Sequence, residues 1–369
     1  MHYFTFAEKD ATLYQASSSL NSGMDEILEV RKDVSDSGTT INSSRVLIKF
    51  DLSKISGSIY TGTITNPRFF LNLYDARPEA LITSQSLYAY PVSGSWVMGD
   101  GFASDNPITT EGCSWNFTDG LTQGTNWHSS VSSSGGTWYS GSGFEASHSL
   151  SHRTSDVRIE VTDIVDKWLA GTIPNHGFMV KRSGSVGNLS TGSGADEGNS
   201  NRFGNLSFFS SDTHTKYPPT LETVWNDSRF HTGSLAPLSG SEMEDMVIYM
   251  KGLRPEYKEN SRVKFRVVGR ERFPSTTYST TPANLNVKYL PSGSSFYSIR
   301  DAETNDLIVP YGSASLLSCD SSGNYFNLWL DGYQPERYYT LEYRIQSGSG
   351  TVEEIDQYFD EGFTFKVTI

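Results

Sequence analysis

Short segments in which apolar and polar residues alternate recur along most of this chain, and they restrict the fold more than any other feature. Examples are Arg45–Leu52, Arg68–Tyr74, Val157–Val161 and Gly177–Lys181. Alternation with a period of two places the apolar side chains on one face of an extended strand. Clusters rich in Gly and Ser separate the segments, notably residues 93–104, 132–143 and 183–200. The pattern therefore predicts an all-β protein of half-buried strands.

The composition agrees with this pattern. The 369 residues include 33 Gly and 13% aromatic side chains, whereas charged residues make up only 19%. Aromatic residues suit strands and Gly suits tight turns, while long helices need Ala, Leu, Glu and Lys. At roughly 100–200 residues per domain, the length predicts two or three domains.

One segment, Val161–Gly171, departs from the alternation and predicts a short helix. Its apolar residues recur at helical spacing on one face, namely Ile164, Val165, Trp168 and Leu169. Thr162 or Asp163 can cap the N-terminus, and Gly171 suits the position just beyond the C-terminus. We expect this single amphipathic helix to plug the open end of a sandwich.

The chain divides close to the end of the strand-like segment Thr220–Trp225, where a linker-like composition begins. We predict a jelly-roll-like sandwich first and then small Ig/fibronectin-like sandwiches. The predicted boundaries are 1–225 for the first sandwich, 226–237 for the linker, and 238–300 and 301–369 for the small sandwiches.

A weak internal repeat in the C-terminal part leaves a second arrangement open. Val247–Tyr257 is similar to Phe326–Glu336, and each is followed by a further alternating segment. Residues 238–369 therefore form either two small domains or one sandwich with two similar halves. After the second copy, Tyr338 stands where a tyrosine corner would bond its hydroxyl to upstream backbone.

Residues from about 5 to 225 resemble the DNRLRE-type β-sandwich, a relative of carbohydrate-binding modules. The likeness rests on a series of spaced segments: Asp10–Tyr14, Ser44–Ser53, Leu71–Tyr74, Glu111–Trp115, Val161–Lys181 and Pro218–Glu222. Ser44–Ser53 is similar to the family's R-x-L-[L/I]-[R/K]-F-D-L-S strand. Val161–Lys181 is similar to its V-T-x-x-V-x-x-W-x-x-G…N-x-G-F-x-L-K segment. The resemblance implies a lectin-like sandwich, although residues 97–110 and 183–202 form longer Gly/Ser-rich loops than the family has.

The C-terminal part resembles β-sandwich domains in structural proteins of tailed phages that infect marine bacteria. The segments that carry this likeness are Leu290–Asp301, Ser318–Phe326, Gln334–Tyr339 and Phe363–Val367. The resemblance implies a virion component and no catalytic motif.

Three tryptophans are the candidate ligand-binding residues. Trp96, Trp127 and Trp138 lie in Gly/Ser-rich loop regions, where exposed indole rings would stack on the apolar faces of sugars. The alternative is that they pack beneath those loops. Trp115 and Trp168 lie on apolar-patterned elements, so we predict that they belong to the core.

The sequence contains no local catalytic signature, and we predict no enzymatic activity, no catalytic residues and no cofactor. His148 and His152 have the spacing of helical zinc ligands, but Gly and Ser around them do not favour a helix. Asp33–Gly38 has the start of an oxygen-rich loop without the closing Glu. A structural calcium ion is implied only by the resemblance to lectin-type modules. Cys113 and Cys319 are predicted to be buried thiols rather than a disulfide.

The net charge and the search for targeting signals limit the kinds of partner that the sequence predicts. The net charge of −13 disfavours nucleic acid, because DNA and RNA binding requires Lys and Arg to neutralise phosphates. The N-terminal residues lack a Sec signal pattern, and no segment approaches the ~20 apolar residues of a membrane span.

These observations lead to a ranked set of functions. The first hypothesis is a virion structural protein of a tailed phage, in the tail, baseplate, neck or capsid surface, made in the host cytoplasm. Its partners would be other virion proteins and further copies of itself. The alternative is a carbohydrate-binding module or adhesin that recognises host glycans, and a remote alternative is a subunit of a polysaccharide-degrading enzyme.

Overall fold

The computed structural model describes most of the chain. The described residues are 1–35, 41–77, 85–120, 124–127, 134–150, 156–184, 197–198, 201–274, 278, 286–347 and 355–369. They form two compact units. One, the N-terminal sandwich, comprises Phe4–Thr63 and Arg68–Thr223; the other, the C-terminal sandwich, comprises Val224–Ile369 together with Met1–Tyr3 and Ile64–Pro67. The predicted all-β class is confirmed.

The N-terminal sandwich is built from one ten-stranded sheet that folds on itself. Its strands are β1 (His2–Tyr14), β2 (Ile27–Val34), β3 (Ile41–Phe50), β4 (Arg68–Leu73), β5 (Gln85–Pro91), β6 (Ala146–Leu150), β7 (Val157–Glu160), β8 (Phe178–Lys181), β9 (Gly204–Phe209) and β10 (Thr220–Val224). The strand order is β6-β5-β8-β3-β1-β10-β4-β7, and β2 pairs with β3 and β9. The four alternating segments that predicted strands correspond to β3, β4, β7 and β8.

The register of neighbouring strands lines up one face of this sheet. Ala11 on β1 lies opposite Leu47 on β3, and Leu47 lies opposite Met179 on β8. Met179 in turn lies opposite Tyr90 on β5. Directly opposed residues share a face of a sheet, so these side chains form a continuous surface, called here the capped face.

The predicted helix is present as α2 (Thr162–Leu169). It buries Ile164, Val165 and Trp168, and the Trp168 ring lies 4.6 Å from the ring of Phe178. Gly171 follows with a φ of +69°, as expected for the residue beyond a helix C-terminus. The predicted cap was wrong, because the hydroxyl of Thr162 accepts from the Phe69 N–H and no side chain caps the helix.

Two further helices were not predicted. The first, α1 (Ser53–Tyr60), lies in the N-terminal sandwich and begins where the Asp51 carboxylate accepts hydrogen bonds from the N–H and hydroxyl of Ser53. Its Ser and Gly content hides the helix in the sequence, and among its residues only Ile55 is buried. The second is the single turn α3 (Ser241–Glu244) in the C-terminal sandwich. No helix in the described ranges has the length and apolar character to cross a membrane.

The C-terminal sandwich has two sheets. Its strands are β11 (Ala236–Pro237), β12 (Met246–Lys251), β13 (Glu256–Lys258), β14 (Arg262–Glu271), β15 (Lys288–Tyr289), β16 (Ser295–Asp301), β17 (Leu307–Val309), β18 (Ser318–Asp320), β19 (Gly323–Trp329), β20 (Arg337–Ser347) and β21 (Ile355–Thr368). One sheet has the order β11-β15-β14-β19-β18 with β12 beside β14, and the other β13-β21-β20-β16-β17. Both sheets contain strands from residues 238–300 and from residues 301–369, so these two segments share one pair of sheets.

The core of the C-terminal sandwich is a stack of aromatic rings. Phe326 on β19 stacks on Tyr297 at 4.2 Å and on Phe265 at 5.2 Å. Phe265 also lies 5.2 Å from Phe365 on β21. Such rings bury large apolar areas and add favourable ring–ring contacts.

The corner tyrosine is one residue later than predicted. Tyr339, not Tyr338, donates its hydroxyl to the Gln334 carbonyl at 2.9 Å. Residues alternate between the faces of β20, so Tyr339 is buried while Tyr338 is exposed.

Candidate functional site

The loop that follows β5 folds over the capped face and buries two of the three candidate tryptophans. Trp96 is 3% exposed and donates its indole N–H to the His176 carbonyl at 2.8 Å. Trp127 is 2% exposed and donates to the Ser114 carbonyl at 2.9 Å. The expected exposure of these rings is therefore wrong for both. They join one apolar cluster with Ala11, Leu13, Val34, Ile41, Leu47, Val92, Cys113, Trp115 and Met179.

One buried amide holds this loop in place. The Asn21 side chain donates to the carbonyls of Met98 and Cys113, at 2.7 and 2.8 Å. Its oxygen accepts from the N–H groups of Gly23 and Gly101, at 3.2 and 2.9 Å. All four hydrogen-bonding positions of the amide are thus used, as a fully buried Asn requires. No local sequence pattern indicates this role of Asn21.

The loop also needs backbone that only glycine supplies. Gly112 has a φ of +93°, and a Cβ atom there would lie 2.4 Å from the Cα of Gly99. Neither the backbone conformation nor the spacing admits a side chain. Glycine in this loop therefore permits the loop segments to pack closely against one another over the sheet.

Three buried charged groups stand at one end of the capped face. The guanidinium of Arg45 donates twice to the Glu197 carboxylate, at 2.9 and 2.7 Å. The Lys181 ammonium lies 3.2 Å from the same carboxylate. Burial lowers the pKa of Lys181 to about 8, against the opposing attraction of Glu197. We call these residues the ionic cluster; they tie residues 197–198 to strands β3 and β8.

The third candidate tryptophan borders the ionic cluster. Trp138 is half-buried, with the Arg45 guanidinium 4.9 Å and the Lys181 ammonium 4.8 Å from its ring. The ring of Tyr90 lies 6.1 Å away, and the Tyr90 hydroxyl donates to the exposed Glu145 carboxylate at 3.0 Å.

Beyond Trp138 and the buried Tyr90, the ring of Tyr88 is half-buried. The ring of Tyr88 stacks on that of Tyr90 at 6.2 Å, and the exposed Ser147 lies opposite Tyr88 on β6. We call Tyr88, Tyr90, Trp138, Glu145 and Ser147 the Trp138 corner. It combines ring surface with a carboxylate and a hydroxyl, the groups that a neutral sugar can use.

A second surface of the N-terminal sandwich is apolar and exposed. Met24, Phe102 and Ile108, which we call the loop patch, are 36%, 41% and 50% exposed. The N–H of Met24 donates to the Gly101 carbonyl at 3.0 Å, which joins the two chain segments. Asp105 accepts from the Phe102 N–H at 3.0 Å and closes the turn between Phe102 and Ile108.

Acidic groups surround the loop patch. Both oxygens of Asp25 accept from the Ala103 N–H, at 3.1 Å each. Burial raises the pKa of Asp25 to about 6; the Ala103 hydrogen bond opposes the shift, and the charges of Glu29 and Asp105 add to it. A partner for this surface would carry apolar side chains with a basic rim.

The structure also bears on the predicted thiols and on the candidate metal-binding residues. Cys113 and Cys319 are buried thiols, as predicted, and burial raises their pKa values to about 12 and 11. His148 lies on strand β6, so helical zinc spacing does not apply to it; His152 and residues 36–38 of Asp33–Gly38 lie outside the described residues. The part of the chain that the structure describes shows no group of three or more metal-ligating side chains.

Comparison with protein-family models and with curated proteins gives no match to this chain.

Proposed function

We propose that this chain is a non-enzymatic structural protein of a tailed-phage virion and that it binds a neighbouring virion protein through the loop patch. The observation that carries the proposal is the exposure of Met24, Phe102 and Ile108 on a loop with fixed hydrogen bonds. Apolar side chains that are exposed on an ordered surface can mark a protein–protein interaction site.

The fixed loop favours association over disorder. Asn21 anchors the loop from within the sandwich, so its exposed side chains are held in place before any partner arrives. Preorganisation reduces the entropy lost on binding. The chemistry expected of the partner is an apolar patch with Lys or Arg at its rim, complementary to Asp25 and Asp105.

Virion incorporation of loop-patch variants tests this proposal. Purified virions should contain the chain by mass spectrometry, and Phe102→Ser with Ile108→Ser should lower its incorporation about tenfold or more, since hot-spot residues dominate interfaces. Phe273→Ser removes an exposed Phe from the C-terminal sandwich and serves as the matched control. Absence of the chain from virions would refute the virion assignment, and normal incorporation of the double variant would refute the loop patch.

A second function, glycan binding, has its own supporting observation. The Trp138 corner keeps ring surface exposed beside Glu145 and Ser147, whereas Trp96 and Trp127 are interior. Trp138 is therefore the member of the predicted trio that remains available to a sugar.

A glycan array with the purified chain tests the second function. Trp138→Ala and Tyr88→Ala should each reduce binding about tenfold, because stacking is lost while the charges stay. Tyr278→Ala, which removes an exposed ring from the other unit, should leave binding unchanged. An array without any signal would exclude glycan recognition and leave the virion proposal standing.

A further inference from the structure

We propose that Asp10 and Asp212 of the N-terminal sandwich bind a hard divalent cation such as Ca²⁺. Each carboxylate has one oxygen that is buried and has no hydrogen-bond partner, Oδ1 of Asp10 and Oδ2 of Asp212. Asp10 itself is only 1% exposed. A buried carboxylate oxygen without a donor is costly, and a bound cation removes that cost.

The backbone places Asp212 directly after the residue that bonds the Asp10 carboxylate. Asp212 lies in the turn after β9, and the N–H of Ser211 in that turn donates to Oδ2 of Asp10 at 2.7 Å. The turn is further fixed because the Ser210 N–H donates to the Glu26 carbonyl at 3.0 Å. The Asp212 N–H is used by the Ser210 hydroxyl at 3.1 Å, which leaves the carboxylate to face other groups.

Burial opposes the ionisation of both carboxyl groups. Burial is the largest cause that raises the pKa of Asp10 to about 7; the Ser211 hydrogen bonds oppose the shift, and the charge of Asp212 adds to it. Burial also raises the pKa of Asp212. Among the residues that the structure describes, no Lys or Arg is a cause of either shift.

The ligand chemistry favours a hard cation. Carboxylate oxygens, with backbone carbonyls and water, are the ligands that Ca²⁺ takes in proteins. Two carboxylates neutralise the charge of one Ca²⁺ ion, so the bound site would carry no net charge. With only two charged ligands the affinity should be in the weak class, with a Kd of about 0.1–1 mM.

Thermal unfolding of the full chain at pH 8 tests the site. About 10 mM CaCl₂ should raise the unfolding temperature of the N-terminal sandwich by roughly 3–10 °C relative to NaCl of equal ionic strength in EDTA.

Two variants separate binding from folding. Asp10→Asn keeps an acceptor for the Ser211 N–H and removes the buried charge, so it should raise the unfolding temperature in EDTA and abolish the Ca²⁺ response. Asp212→Asn should also abolish the response, whereas Asp163→Asn, at an exposed position on α2, should keep it. No Ca²⁺ shift in the unmodified chain, or an equal shift in Asp10→Asn, would overturn the proposal.

Discussion

The two sandwiches bury different chemistry. Within the described residues, the N-terminal sandwich buries complete charged side chains, among them Arg45, Lys181 and Glu197, beneath a long loop. The C-terminal sandwich fills its interior with stacked rings such as Tyr297 and Phe326. Aromatic packing needs only shape and area, while a buried charge needs every partner in place. The N-terminal sandwich should therefore depend more on single polar contacts.

The largest expected effect concerns the ionic cluster. Glu197→Ala leaves Arg45 and Lys181 buried without their carboxylate, and it should destabilise the N-terminal sandwich by about 3–5 kcal/mol. Denaturant unfolding followed by hydrogen exchange would assign the loss to that unit. Glu160→Ala breaks the exposed Arg68–Glu160 pair in the same unit and should cost at most ~1 kcal/mol. Equal losses in the two variants would contradict the contrast between the sandwiches.

The next effect is an opposite response of the two units to pH. Asp10 has a raised pKa of about 7, so in EDTA the N-terminal sandwich should lose roughly 2–4 kcal/mol as pH rises from 4 to 7, because the folded state retains a proton that the unfolded chain releases. Asp10→Asn should remove this slope. A flat profile between these pH values in the unmodified chain would contradict the prediction.

Asp301 gives the stability of the C-terminal sandwich the opposite dependence on pH. Its burial opposes ionisation, but hydrogen bonds from the Thr304 and Glu303 N–H groups and from Arg337 outweigh burial and lower its pKa to about 2. This contribution is present above the unfolded pKa of about 3.9 and is lost as pH falls towards 2. Hydrogen exchange of β16 and β20 over this pH range measures the contribution of Asp301 to stability. Asp301→Asn should remove the dependence of stability on pH.

The smallest effect sharpens the contrast within one strand. Tyr339→Phe removes the hydroxyl that donates to the Gln334 carbonyl, and it should destabilise the C-terminal sandwich by about 1 kcal/mol. Tyr338→Phe, on the exposed face of β20, should change the free energy of unfolding by less than ~0.5 kcal/mol. If Tyr338→Phe proves the more damaging change, the corner would belong to Tyr338 after all.

Local patterns were enough for several elements of this fold. The period-two alternation of Arg45–Leu52 predicted β3, and helical spacing with Gly171 at the end predicted α2. Both patterns are set by residues within one element, so they can be read without the rest of the chain. Helix α1 lacks such a pattern, because Ser and Gly occupy half of its length.

Local sequence patterns predicted less of the candidate site than of the fold. Loop tryptophans can face water or the interior, and the sequence of the loop is the same in both cases. Trp96 is interior and bonds the carbonyl of His176, which lies 80 positions away along the chain, whereas Trp138 keeps some exposure. The loop patch was missed for the same reason, since Met24 joins Phe102 only through backbone contacts between distant segments.

The sequence by itself thus determined the all-β class, several strand positions, the helix α2 and the free thiols, because these follow from local periodicity and residue chemistry. Only the tertiary structure decided which polar groups meet. The convergence of Arg45, Lys181 and Glu197, and the pairing of Asp10 with the turn at Asp212, join residues more than a hundred positions apart. Long-range strand register and loop closure create these neighbours, and no local pattern encodes them.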